Sequence, residues 1–375
     1  SVWLNTRVRY TINCKTRFML LKQAAGVQMK RKLLIRRKKK EQAKVPPRIT
    51  NETVAEHRER VIAGGRKFKY PIQYARHRLV FNATIIATVG VFLLLIAGWV
   101  LMYPMQNSSG VAYRISRVIP LPVGSINGEA VLYSDYLASY RSSAYYLNKN
   151  PEVRLNTNDG QVQLNHIKRQ SLNLAERVAY ARQLARQHNI SISGSDVDAV
   201  IEQERITANG RVSQDTYDAS IKMLFGENAS DYRFRTANAM LESRVAFAVD
   251  VKAKQQIEAA MTMLKQGKSF DDAVGGANAL SGGKANAGKS GLIDVTSKFN
   301  GLRVQSVAGL KKDEFSGIMQ SATADGFYIV KITEKTEKKI AFDYVHVPLQ
   351  EFTTQFAKLK TDGKIQEYIS VPESR

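Results

Sequence analysis

The strongest feature of the hydrophobic pattern is an uncharged run of 24 residues, VFNATIIATVGVFLLLIAGWVLMY, from Val80 to Tyr103. A helix of that length reaches roughly 36 Å, enough to cross a hydrocarbon core of about 30 Å with some tilt. Six turns without a polar face argue against a core helix of a soluble domain. Trp99 and Tyr103 fall at the far end, where amphipathic rings anchor well in an interface.

Beyond the run the pattern becomes that of a small, mostly helical body. Gln106 to Gly110 reads as a polar spacer within a linker over 104–122. Val123 to Leu132, VGSINGEAVL, predicts a strand, a tight turn at Asn127-Gly128 and a second strand. Ser134 and Asp135 then open a helix carrying Tyr136, Leu137 and Tyr140. A longer helix runs from Gln161 to Gln187, with Leu164, Ile167, Leu174, Val178 and Leu184 as its apolar stripe. The spacing of Ser195 and Asp198 predicts a capped helix start with Val197, Val200 and Ile201 behind it. Ser213 opens a further helix that Gly226 ends, and another follows over Ser230 to Ser243.

From Lys252 the pattern changes again. One helix carries Ile257, Met261 and Leu264, Gly267 ends it, and a short helix covers Ser269 to Val274. A glycine-rich stretch from Gly275 to Gly291 precedes apolar segments at Leu292–Val295 and Val304–Val307, and Gly326 to Ile332 reads as a strand by its aromatic and β-branched content. Val245 to Val249, VAFAV, reads as the first strand of this second domain. The C-terminal piece over 335–375 begins with an alternating strand in which His346 projects opposite Val345 and Val347, and then turns helical. It either extends the preceding sheet or packs back on the helical body.

Charge divides the chain in two. Before Val80 there are 22 Lys and Arg against four Glu, a net +18; from Val80 onward 34 stand against 29, a net +5, within a total of +23. Nine of the basic residues lie between Lys30 and Lys44, just after Met29, a natural start position. Such a segment, poor in large apolar residues, predicts a largely disordered tail over 1–79 that rests against anionic lipid. No aromatic interleaving or reading module accompanies it, so no specific nucleic acid is expected. Arg76, His77 and Arg78 precede the run while Pro104 to Tyr113 is uncharged, which places the N-terminus in the cytoplasm and the rest outside. The basic region is too long for an ordinary cleaved signal peptide, so the run reads as an uncleaved single-pass anchor in the cell membrane. Cys14 is the single cysteine, which excludes an intrachain disulfide and any multi-cysteine zinc site.

VGSINGEAV, the YSDY helix start, ARQLARQHNISISGSDVDAVI and DYRFRTANAMLESRV resemble the N-terminal chaperone domain of the SurA and PrsA families of extracytoplasmic foldases, over 123–244. The segment Lys265 to Phe270, the turn ending Gly288-Lys289-Ser290-Gly291, Lys312 to Ser316 and the final GFYIVKI strand resemble a parvulin-type prolyl isomerase domain, over 245–334. The fold this implies is a membrane-anchored α+β protein, with a transmembrane helix over 80–103, a mostly helical SurA-like domain and a parvulin-like α+β domain. The implied partners are unfolded or newly exported polypeptides and, through the helix and tail, membrane lipids. Parvulins usually carry a histidine in the first strand and another in the last; here VAFAV holds none and Tyr328 stands at the second place. Tyr328 is therefore the one candidate catalytic residue. Three functions are open: a chaperone without rapid catalysis, an active peptidyl-prolyl cis-trans isomerase, and a docking subunit of an envelope complex.

Other motifs carry less. Gly283 to Ser290 satisfies the phosphate-loop pattern GxxxxGK[ST], but a working loop needs a buried strand before it and a helix N-terminus after it. The flanks lack both, which leaves a surface loop and no nucleotide. His166 and His188 lack a partner at metal-ligand spacing and read as ordinary surface or packing residues. No cofactor and no metal are expected.

Overall fold

The computed structural model describes residues 50–69, 71–207, 209–281 and 283–372. The basic run from Lys30 to Lys44, Met29 and Cys14 lie outside the described residues. The chain forms two units that meet within one helix, at Phe92 and Leu93.

In the first unit, α1 (Asn51–Lys69) occupies part of the segment expected to be disordered. Thr50 and Thr53 exchange hydrogen bonds at its start and Glu56 pairs with Arg60 one turn on, local support that net charge does not reveal. Helix α2 (Pro71–Met102) follows. Its stretch His77–Met102 is long and apolar enough to cross a membrane.

The second unit begins with the end of α2, and the expected linker over 104–122 is instead structured. It contains α3 (Gly110–Val118), capped by Ser109. The last turn of α2 belongs to the core of the body: Met102 is buried beside Val123 and Tyr133, and the Tyr133 hydroxyl donates to the Met102 carbonyl at 2.7 Å. Tyr103 donates to the Pro122 carbonyl at 2.8 Å. The helical body then runs through β1 (Pro122–Ile126), β2 (Glu129–Leu132), α4 (Tyr133–Lys149), α5 (Asn158–Gln187), α6 (Gly194–Glu204), the small hairpin β3 (Ile206–Thr207) and β4 (Gly210–Arg211), α7 (Gln214–Phe225) and α8 (Ala229–Val249).

Several expectations hold and some shift. Asn127 and Gly128 have φ of +48° and +83°, the two positive values that a type I′ turn demands. The capping box of α6 is made by Ser193 and Asp196, not by Ser195 and Asp198; both pairs have the same spacing, and the chain places the first at the helix start. Asp135 does not cap α4. It is buried and takes a two-pronged ion pair from Arg182, at 2.6 and 2.8 Å, with Asn238 donating to the same carboxylate. Leu174 faces outward on α5, while Leu172, Ala175 and Ala179 enter the core.

Val245 to Val249 is not a strand. It is the last turn of α8, with Val245 and Ala246 in the helical core and Phe247 in the next. A short apolar run has no distinguishing period, and the helix capped by Asn228 simply continues to Asp250. That carboxylate caps α9 (Val251–Lys265), accepting from Ala253 at 2.9 Å. Helix α10 (Phe270–Ser281) takes up part of the glycine-rich stretch. Strands β5 (Asn286–Lys289) and β6 (Ile293–Asp294), the hairpin β7 (Lys298–Phe299) and β8 (Leu302–Arg303), a 3₁₀ turn at Val304–Val307, β9 (Met319–Gln320), β10 (Gly326–Lys335) and β11 (Lys339–Pro348) complete the sheet region.

The sheet order is β5-β11-β10-β9, with β6 also on β11, and every pairing is antiparallel. One face, with Phe327, Ile329, Val345 and Val347, packs on α9 and α10. The C-terminal piece does both things considered for it. β11 is a central strand of this sheet, whereas α11 (Glu351–Thr361) places Phe352 and Phe356 in the helical core and β12 (Ile365–Glu367) pairs with β1. Asp250 ties these parts together, because its second oxygen accepts from the amides of Gln350 and Glu351, at 2.6 and 3.0 Å.

Candidate functional site

Two places combine shape with chemistry. The first is a cleft of about 390 Å3 in the helical body, between α4, the loop after it, and the turn joining α7 to α8. Its walls carry Tyr113, Tyr140, Tyr145 and Phe225, with Arg141 and Glu227 among them. Gly226 shapes one side. Its φ of +68° ends α7, and a Cβ there would stand 2.6 Å from the Tyr145 ring, so glycine lets that ring lie flat against the turn. Glu227 is buried and paired with Arg235 at 3.0 Å, whereas Arg141 is held in place by the neutral Ser108 carbonyl, to which it donates at 2.6 Å, and keeps its positive charge. Such a cleft offers aromatic surface with one cation, Arg141, at its wall, and its volume falls in the range of ligand sites.

The second place is the other face of the sheet, around Tyr328. The register sets Tyr328 directly opposite His346, and the rings stack at a centroid distance of 4.4 Å. Asp325, held at the turn before β10 by Ser321, accepts from the Tyr328 hydroxyl at 2.6 Å and lies 3.7 Å from His346 Nε2. Gly326 makes room, since a Cβ there would meet the Val347 carbonyl and the imidazole. Burial, then the hydrogen bond and charge of Asp325, hold the Tyr328 hydroxyl far above its ordinary range. Burial pushes the His346 imidazole below its ordinary value against the pull of Asp325. At neutral pH the tyrosine is protonated and the histidine neutral, so the contact with Asp325 is not an ion pair.

This face is filled. Tyr328 is 1% exposed, and it shares a core with Leu302, Val304 and Phe342, while Phe299 packs on Phe342 and Tyr344 at 5.4 and 5.3 Å. The hairpin of β7 and β8 thus supplies the surface that a substrate at Tyr328 would need. His346 faces away from Val345 and Val347, as strand alternation predicts, but its partners Tyr328 and Asp325 are not evident from the sequence. The strand that brings it to Tyr328 follows β10 in the chain, and the one local hint was the Asp325-Gly326 turn.

The remaining candidates separate. His166 and His188 are exposed, His188 at the end of α5. The glycine-rich GxxxxGK[ST] segment is no surface loop throughout: Asn286–Lys289 is a paired strand, and Ser290 exchanges hydrogen bonds with Phe342 where a phosphate loop would begin a helix. Among the described residues, no group of three His, Cys, Asp or Glu side chains is placed to hold a metal ion. Neither a known protein family nor a curated protein matches this chain in sequence.

Proposed function

We propose that the chain is a membrane-anchored extracytoplasmic chaperone, of SurA- and PrsA-like kind, that binds unfolded or newly exported polypeptides. The aromatic cleft of the helical body carries the reading, because flat rings offer contact to extended chains of varied sequence, and Arg141 at its wall can hydrogen-bond the carbonyls of such a chain. Support for the membrane location comes from α2. Its side chains from Leu79 to Leu101 are almost all exposed, a surface that water would not tolerate and lipid would. The cations at Arg76 and Arg78 favour a cytoplasmic N-terminus.

A photo-crosslinking residue in place of the exposed Asn148, on the cleft wall, tests the proposal in intact membranes. Capture of many different exported chains is the expected result. Capture of one stoichiometric protein would replace it with a docking subunit, and an empty cleft would refute polypeptide binding there. Protease added to spheroplasts should digest the body; protection would overturn its extracytoplasmic side.

The stacked Tyr328 and His346 favour a second reading, a prolyl isomerase with a reduced complement of histidines. Packing of β7 and β8 over Tyr328 weighs against it, since a twisted prolyl bond has to be bound more tightly than the planar one to be accelerated. A prolyl-bond assay on the full chain decides between them.

A further inference from the structure

We infer that α3 lies in the non-cytoplasmic interface of the bilayer, with lipid acyl chains filling the groove between it and the end of α2. The inference rests on the membrane reading of α2 and adds a second contact made by the body itself.

Nine residues of α3 divide into two faces. Ala112, Tyr113 and Ser116 are buried against the body. Val111, Ile115 and Val118 fall within an arc of about 60° at 100° per residue, and they point outward, with Val111 67% and Val118 83% exposed. The buried face satisfies the body, so the outer apolar face is surplus to its folding.

That face does not stand alone. Val111, Ile115 and Ile119 share one groove of about 530 Å3 with Leu94, Leu95 and Trp99 of α2. The apolar surface therefore runs unbroken from the span onto α3, and whatever solvates Leu94 also reaches Val111. The height of α3 is set by a frame and not by a tether. Met102 is buried in the body, Tyr133 holds its carbonyl, and Gln106 donates to the Ser370 carbonyl at 2.7 Å. The groove covers α2 from Leu94 to Met102, about 12 Å of rise, enough to take in the roughly 5–10 Å to which interfacial helices bury their apolar side.

Charge agrees with this placement. Arg117 is used by the body, over the Phe234 ring at 3.8 Å and near Asp231. Arg114 is exposed beside the apolar arc, where its stem covers apolar surface and its guanidinium reaches lipid phosphates.

Nitroxide lipids read the depth. The full chain carrying Cys14→Ser is placed in nanodiscs, one copy per disc, with a fluorophore on Val111→Cys, Val118→Cys, Val89→Cys or, as a distant control, Asp271→Cys. Shallow nitroxides should quench the labels at 111 and 118 more strongly than deep ones, deep nitroxides should quench position 89 most, and the label at 271 should be untouched. Quenching at 89 without quenching at 111 and 118 overturns the inference and leaves the span intact. No quenching at 89 overturns both. Shielding of 111 and 118 that appears only with two copies per disc also overturns it, in favour of a self-association surface.

Discussion

Glu176 gives the sharpest prediction. It sits on α5 inside the helical core, 4% exposed, and its Oε1 has no hydrogen-bond partner. Burial pushes its carboxyl up from 4.5 to about 7; the nearby Glu367 adds to the rise, while Lys360 and Arg169 oppose it. The folded chain therefore holds a proton on Glu176 that the unfolded chain has released at pH between 4.5 and 7, so stability falls as pH rises through that window and levels off above it. At about 1.4 kcal/mol per pH unit, the loss by pH 8 is about 3 kcal/mol. Glu176→Gln keeps the shape of the protonated acid and removes the titration. The variant should match the native chain at pH 4.5 and exceed its stability by about 3 kcal/mol at pH 8, a rise in Tm on the order of 5–10 °C for a body of this size. Groups such as Asp272 and Asp294, whose own hydrogen bonds hold their carboxyls low, lose stabilisation at more acid pH in both chains and cancel in the difference. Thermal unfolding of both chains in the same detergent from pH 4.5 to 8 reads it. A difference that does not change with pH would refute the reasoning.

Gly226→Ala puts a Cβ both in the left-handed region and against Tyr145, and should cost at least about 1–2 kcal/mol in denaturant unfolding; no loss would mean the turn is not held as described. Asp250→Ala removes a helix cap and the acceptor of the Gln350 and Glu351 amides at the start of α11, a loss of about 2–4 kcal/mol. Hydrogen exchange should then speed up at Ala253, Gln350 and Glu351 together, and a change confined to Ala253 would deny the bridge. Tyr328→Phe should leave prolyl isomerisation at the uncatalysed rate of the native chain, with a stability loss of about 1 kcal/mol; a native rate well above background that drops in the variant would overturn the packed-face reading.

What was legible in the sequence is what short-range physics decides. The uncharged run of membrane length depends on composition alone, and the Asn-Gly turn, the cap at Ser213 and the terminator Gly226 depend on residues within about one helical turn of each other. So does the parity of His346, which follows from strand alternation alone. The cap spacing at Ser193 and Ser195 and the run VAFAV show the limit: two identical spacings, and an apolar pentapeptide that suits helix and strand equally, are resolved by what they pack against.

Tertiary structure decided the rest. β11 enters between β5 and β10, β12 returns to β1, and the last turn of α2 becomes part of a core, because antiparallel partners are selected by which apolar faces they bury and not by their order along the chain. The meeting of Asp325, Tyr328 and His346, the double use of Asp250 and the continuity of α3 with the end of α2 all follow from those pairings. Apolar pattern specifies that a face must be covered, and only the assembled fold specifies by what.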